Sequence, residues 1–151
     1  EWTVEIVVNG VELNNASGKM LFFLSSGNNI MRMYLRRGVN NNYLFFFLRG
    51  DDYSPIRSFT LSNISLLDQN YVMRASWKKA ELKMKLEILD TSDHIVYQAI
   101  MTNTPSTPLF ADDFPIVGTD HKIYIGSHPT SATQSYAAKN IDGVHIYKVF
   151  K

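Results

Sequence analysis

Arginine and tyrosine alternate with apolar residues over positions 30–37, and this spacing is suited to a recognition surface. Because successive side chains of a strand point to opposite faces, Arg32, Tyr34 and Arg36 share one face. Arginine presents a planar fork for carboxylates such as that of a sialic acid. Tyrosine offers a sugar ring an apolar surface with a polar tip. Arg32, Tyr34 and Arg36 are the predicted ligand contacts, and the next strand candidate adds Tyr43 and Arg49 at the rim of this predicted ligand-binding surface.

A different interpretation of the same surface is a solvated sheet face whose charges discourage edge pairing. The segment 50–55 places Asp51, Asp52 and Tyr53 at its predicted rim. Its aspartates could coordinate calcium or bond sugar hydroxyls, but glycine, aspartate and proline are also ordinary turn residues. We favour the turn. The histidines lack the spacing of metal ligands on one strand or helix, so we expect no metal and no other cofactor.

The acidic residues lack the spacing that glycoside hydrolysis requires. Two carboxyl groups about 5–5.5 Å apart are needed for retaining catalysis, which calls for even spacing along a strand. Glu87, Asp90 and Asp93 lie three apart, so neighbours in this series fall on opposite faces. The chain also has no cysteine and no Gly-x-Ser-x-Gly motif. We therefore expect no enzymatic activity.

Both tryptophans alternate with apolar residues rather than standing among polar ones. Trp77 shares a face with Tyr71 and Met73, and Trp2 shares one with Val4. A sugar-stacking platform would need an exposed indole, whereas this pattern is typical of the core.

The elements that must position these residues are strands, because the dominant hydrophobic period is two. The clearest case is 81–88, in which charged residues separate four apolar ones. Glycine, asparagine and aspartate mark the turns between such runs. The predicted strands are 2–8, 20–25, 30–37, 43–49, 56–61, 71–77, 81–88, 94–100, 122–125 and 144–150. This spacing, without a convincing helix, predicts an all-β sandwich or barrel.

The composition limits the classes of partner that we expect for this chain. The 151 residues carry 15 Lys plus Arg and 14 Asp plus Glu, a formal charge of +1, which does not favour nucleic acid. The apolar runs are too short for direct membrane insertion. Residues 1–151 fit a single domain. Since the chain begins with Glu1 rather than methionine, we expect a domain excised from a longer protein.

Three segments, in order, resemble one superfamily. The first is 18–27 with 31–35 and 43–48, and the second is 71–77 running into 82–88. The third is the run from Ile123 to Ser127, which contains Gly126, followed by 141–147. Together they resemble the concanavalin A-like jelly rolls, particularly the laminin-G-like and galectin-like modules. There, a hydrophobic-glycine strand late in the chain precedes a closing strand that ends in an aromatic residue.

The resemblance covers most of the chain and implies two antiparallel sheets of five to seven strands each. It implies binding of glycans or extracellular proteins, with glycoside hydrolysis in a few branches. Galectins share a His-x-Asn-x-Arg set before a tryptophan and a glutamate. This chain has Trp77 and Glu81 but not that set, so galactose binding in the galectin manner is not expected.

These observations lead to a hypothesis of non-catalytic, lectin-like recognition. The expected partner is a cell-surface glycan or glycoprotein receptor, and the expected location is extracellular or exposed on a virion or cell. The receptor-binding head of a viral attachment spike is one such host. Two alternatives stay open: a laminin-G-like adhesion module that binds proteins through the loop 101–120, and a structural spacer without a ligand.

Overall fold

The computed structural model describes residues 1–10, 19–26, 29–37, 42–49, 57–81, 83–102, 121–125, 141–147 and 151. Within these residues no helix is long and apolar enough to cross a membrane. A short 3-10 turn, Lys79–Glu81, lies between the sixth and seventh strands. The strands are β1 (Trp2–Asn9), β2 (Lys19–Ser26), β3 (Asn29–Arg37), β4 (Asn42–Arg49), β5 (Arg57–Leu61), β6 (Asn70–Lys78), β7 (Lys83–Leu89), β8 (Ile95–Thr102), β9 (His121–Ile125) and β10 (Ile141–Tyr147).

The strands form two five-stranded sheets. The first sheet has the order β10-β1-β6-β7-β8, and the second has the order β5-β4-β3-β2-β9. Every neighbouring pair is antiparallel. At one side of the sandwich β5 lies near β8. The predicted all-β, antiparallel two-sheet sandwich is therefore confirmed.

The core lies between the two sheets, as the alternating pattern requires. In β7, Met84, Leu86 and Ile88 are completely buried, so the period of two prevails there over the helix propensity of the segment. The second sheet contributes Leu21 and Phe22 to the same hydrophobic cluster. Each sheet thus has one face toward the core and one outer face.

Two predicted boundaries were wrong. The strand predicted for 81–88 begins at Lys83, because Glu81 belongs to the 3-10 turn and pairs there with Lys78. The strand predicted for 144–150 begins at Ile141. Its Gly143 lies opposite Val7 in the ladder, next to a register shift between Val7 and Val8. Irregularities of this kind tolerate glycine inside a strand.

Candidate functional site

The backbone pairing of β3 with β4 brings the predicted ligand-binding residues together. Arg36 lies opposite Tyr43, and Arg49 lies opposite Ile30. Arg32 and Tyr34 lie opposite phenylalanines of β4. Because residues directly opposite each other share a sheet face, all five predicted residues on these strands occupy one face by register.

The register also identifies this face as the outer one. Leu44 pairs with Leu61, which is only 6% exposed, and Met33 pairs with the completely buried Phe22. The positions that alternate with Leu44 and Met33 therefore belong to the outer face of the second sheet. Pairing with β2 and β9 extends that face through Phe23, which lies opposite both Arg32 and Tyr124. We call the positions 32, 34, 36, 43, 45, 47, 49, 23 and 124 the aromatic–basic face.

Charge is distributed unequally between the two sheets. The five strands of the second sheet contain seven Lys or Arg residues and no Asp or Glu. The five strands of the first sheet contain four Lys or Arg and three Asp or Glu. The small net charge of the chain therefore conceals a basic sheet beside a nearly balanced one. A basic surface with aromatic neighbours attracts anionic ligands.

The rest of the predicted rim follows β4 in the chain. Arg49 is the last residue of β4, while Asp51, Asp52 and Tyr53 lie outside the described residues. Of the loop 101–120, which was considered for protein binding, only Met101 and Thr102 lie within the described residues. The role predicted for these segments stays a prediction.

A second charged arrangement occupies the outer face of the first sheet. Arg74 of β6 lies between Glu5 of β1 and Glu87 of β7, each directly opposite it in the ladder. Arg74 Nε donates a hydrogen bond of 2.6 Å to Glu5 Oε1. Its Nη1 lies 3.6 Å from Glu87 Oε2. The two glutamates are 7% and 1% exposed, so both charges depend on protein partners rather than water.

Further groups complete this arrangement, which we call the Arg74 network. Lys85 Nζ lies 3.2 Å from Glu87 Oε2, and Gln98 Nε2 donates to the other oxygen of Glu87 at 2.6 Å. Lys151 Nζ lies 3.3 Å from Glu5 Oε1. The exposed Asp93 lies 3.7 Å from Arg74 Nη2. Each buried carboxylate thus faces two cations, and the guanidinium of Arg74 is already engaged by protein carboxylates. This network braces the sheet rather than offering a free fork to a ligand.

The environment of Glu5 sets its protonation state. Burial by itself would raise its pKa, but the hydrogen bond and charge of Arg74 act in the opposite direction. Hydrogen bonds from Lys151 and Tyr147 act in the same direction as Arg74. The net result is a Glu5 pKa below its usual 4.5. Glu5 is therefore held as a carboxylate at neutral pH and is not available as a proton donor.

Replacing Glu5 by glutamine should make the free energy of unfolding depend less on pH in the acid range. A lowered folded-state pKa adds stability above the unfolded value, and this stability is lost as pH falls through the folded pKa. We expect Glu5→Gln to lower the urea midpoint at pH 7. The difference from wild type should shrink progressively as the pH falls below 4.5. A difference that stays constant over this range would contradict the role assigned to Glu5.

Sequence reasoning did not find the Arg74 network, because it examined spacing along one strand. Two members of the acidic series that was rejected for catalysis, Glu87 and Asp93, both lie near Arg74. The missing neighbour, Glu5, is distant in sequence and becomes adjacent only through strand register. The available signal was that all three strand residues, Glu5, Arg74 and Glu87, occupy outward positions of their apolar alternation.

Two other predictions concern the tryptophans and metal binding. Trp77 is 2% exposed and belongs to the hydrophobic cluster, so its predicted core position is confirmed. Trp2 lies opposite Trp77 in the ladder.

His94 Nδ1 lies 3.1 Å from Asp90 Oδ2 in the turn before β8. Among the described residues, no group of three or more His, Cys, Asp or Glu side chains is arranged to hold a metal ion.

No family model and no curated protein matches this sequence. Among solved structures, the fold is similar to the CBM40 carbohydrate-binding module of the Ruminococcus gnavus IT-sialidase, with a TM-score of 0.69 and 12% identity. That similarity covers 99% of this chain and 77% of the other.

The fold is also similar to the enzymatically active domain of tailspike protein 2 from bacteriophage CBA120, with a TM-score of 0.62 and 16% identity. This match covers 96% of the chain described above but only 21% of the tailspike chain. At these identities the likenesses show the fold alone, a two-sheet β-sandwich. Membership of the concanavalin A-like superfamily stays a prediction.

Proposed function

We propose that this chain is a non-catalytic glycan-binding module that holds its ligand on the aromatic–basic face. The observation that carries the proposal is the β3–β4 register, which gathers Arg32, Tyr34, Arg36, Tyr43 and Arg49 on one outer sheet face. Glycan recognition needs flat aromatic surfaces for sugar rings and directional polar groups for their substituents. The residue types at these positions supply both.

The charge distribution supports an acidic sugar as the ligand. No acidic residue lies on the described strands of the second sheet to neutralise its arginines. A carboxylate on the glycan would supply the missing counter-charge and can accept two parallel hydrogen bonds from one guanidinium. The Arg74 network is a contrasting case, because its arginine is already paired within the protein.

The proposed absence of catalysis rests on the state of the buried carboxylates. Glu5 and Glu87 both lie in ion pairs with cations. Glycoside hydrolysis requires one carboxylic acid that can donate a proton, and the lowered pKa of Glu5 opposes that role. The tailspike neighbour is an enzymatically active domain. That activity is not part of the function proposed for this chain.

The similarity to a carbohydrate-binding module and a phage tailspike domain supports a wider setting for this function. We propose that the chain belongs to an extracellular, cell-surface or virion-surface protein and that its partner is a cell-surface glycan or glycoprotein. The receptor-binding head of a viral attachment spike is the most specific form of this proposal.

A glycan array, followed by titration of the strongest ligand, tests the assignment. We expect sialylated or otherwise carboxylated glycans to bind above neutral ones. Arg32→Ala and Arg36→Ala should each weaken binding about tenfold to a hundredfold, because each removes a charge-assisted hydrogen-bond donor. Arg32→Lys should recover only part of the affinity, since lysine keeps the charge without the planar fork.

The matched control is Lys78→Ala, which removes a cation from the first sheet, where Lys78 pairs with the exposed Glu81. This variant should bind like wild type, and circular dichroism should show that all variants are folded. Absence of binding above background would overturn the proposal. So would binding that Arg32→Ala and Arg36→Ala leave unchanged.

A further inference from the structure

The arginines of the aromatic–basic face are spread along the strand direction rather than gathered at one point. Arg32 and Arg36 lie four residues apart on β3, which separates them by about 13 Å along the strand. Arg49 lies opposite Ile30, so it is about 20 Å from Arg36 in the same direction. The pairing of β3 with β4 has no register shift, so these separations follow directly from the ladder.

An aromatic row lies between Arg32 and Arg36. In that row Tyr34 lies opposite Phe45. Because side chains of a strand stand roughly perpendicular to the sheet, positions 32 and 36 are separate anchoring points. A carboxylate accepts two parallel hydrogen bonds from one guanidinium. One acidic sugar therefore satisfies one end of the face and leaves the other end without a counter-charge.

We propose that the aromatic–basic face binds an internal stretch of an acidic polysaccharide rather than a single terminal acidic sugar. The stretch contains at least two carboxylated sugars with one or more sugars between them. Its carboxylates lie at Arg32 and Arg36, and the sugar between them lies over Tyr34 and Phe45, since an aromatic ring offers a sugar ring an apolar surface. This inference rests on the proposed function and names the class of glycan that the same face binds.

The two ends of the face differ in their number of cations. Arg49 and Lys122 share the ladder row of Ile30, which is the next outward row beyond Arg32. The residue opposite Arg36 is aromatic instead. A single acidic sugar should therefore prefer the end at Arg32, and only a longer chain should reach Arg36.

Chain length should consequently control the affinity. Two anchoring points on one ligand raise its affinity, because the second ion pair forms within a complex that already exists. The affinity should rise steeply once the sugar chain reaches from Arg32 to Arg36 and should then level off. Added salt should weaken the longer ligands more than the single sugar, since more ion pairs are screened.

Isothermal titration calorimetry with two series of defined probes tests this inference. One series is sialic acid methyl glycoside and its oligomers up to the hexamer, in which every sugar is acidic. The other is hyaluronan oligosaccharides, in which every second sugar is acidic. In at least one series we expect the hexamer to bind about tenfold or more tightly than the shortest member. A shortest member that binds as tightly as the hexamer would overturn the inference but leave the proposed function intact. Failure of both series to bind would also overturn it, whereas the proposed function fails only if the glycan array finds no ligand.

Arg36→Ala tests the second anchoring point. In this variant the gain in affinity with chain length should disappear, because the longer chain loses its contact at position 36. The matched control is Arg57→Ala, which removes a cation from β5 of the same sheet. Arg57 lies opposite Leu48, whose position alternates with the outer face, so this variant should keep the gain. Circular dichroism should show that both variants are folded. A gain that survives in Arg36→Ala, or that both variants lose equally, would overturn the inference.

Poly-glutamate separates charge from the packing of sugar rings, because it carries repeated carboxylates without any sugar. At an equal number of carboxylates it should bind about tenfold or more weakly than the acidic hexamer that binds best. Equal affinity would show that the face binds polyanions by charge alone, and the assignment to an acidic polysaccharide would then be wrong.

Discussion

Replacing Arg74 by methionine should lower the free energy of unfolding by about 3–5 kcal/mol at neutral pH. The reason is that methionine keeps the aliphatic bulk of the side chain but removes the cation between Glu5 and Glu87, which are 7% and 1% exposed. Each of these carboxylates would then keep only one cation, Lys151 beside Glu5 and Lys85 beside Glu87. Urea unfolding followed by circular dichroism measures the loss.

Two controls separate the charge from the packing. Lys78→Met removes a cation of the same sheet whose partner, Glu81, is exposed, and it should change the urea midpoint little. Adding Glu5→Gln to Arg74→Met should recover part of the stability, because it removes one of the uncompensated charges. If Arg74→Met were no more destabilising than Lys78→Met, the network would not stabilise the fold.

The fold was predictable because it depends on alternation, which the sequence displays directly. In β7 the apolar residues Met84, Leu86 and Ile88 take every second position, and all three are completely buried. The turn before β8 was predicted equally well from its residue types. In the structure, Asp90 accepts backbone hydrogen bonds from Ser92 and His94. The boundaries were less predictable because Glu81 and Gly143 are compatible with either a turn or a strand.

The candidate sites were predictable only where both partners lie close in sequence. Arg36 and Tyr43 belong to consecutive strands joined by a short connection, so their common face follows from local alternation and one hairpin. Glu5 and Arg74 are 69 residues apart, and their adjacency requires knowledge of which strands neighbour each other. Neither propensity nor periodicity contains that information, which comes from how the sheets are ordered.

Both outer faces contain arginine, and the two sheets differ in the residues that lie opposite it. On the first sheet, Arg74 is neutralised by glutamates opposite it in the ladder. On the second sheet, Arg32 and Arg36 lie opposite aromatic residues, and the described strands of that sheet contain no acidic residue. Cations that a protein pairs internally support its structure, whereas a surface that gathers cations without acids is suited to an external anion.

Truncating Trp77 to alanine should cost about 3–5 kcal/mol of unfolding free energy, which is the usual loss for a large aromatic side chain in a core. Trp77 is 2% exposed and pairs in register with the completely buried Met84. The truncated side chain would leave a cavity that neighbouring core residues cannot fill. Chemical unfolding of the ligand-free protein measures it. Leu67→Ala is the control, because Leu67 is 72% exposed and should tolerate truncation.

The variant Trp77→Phe then distinguishes a core role from a sugar-stacking one. It keeps most of the buried aromatic volume, so the protein should fold with a smaller loss of stability than Trp77→Ala. Because Trp77 belongs to the first sheet and faces the core, we expect Trp77→Phe to bind the glycan selected on the array as wild type does. A folded Trp77→Phe protein that has lost glycan binding would move the binding site away from the aromatic–basic face.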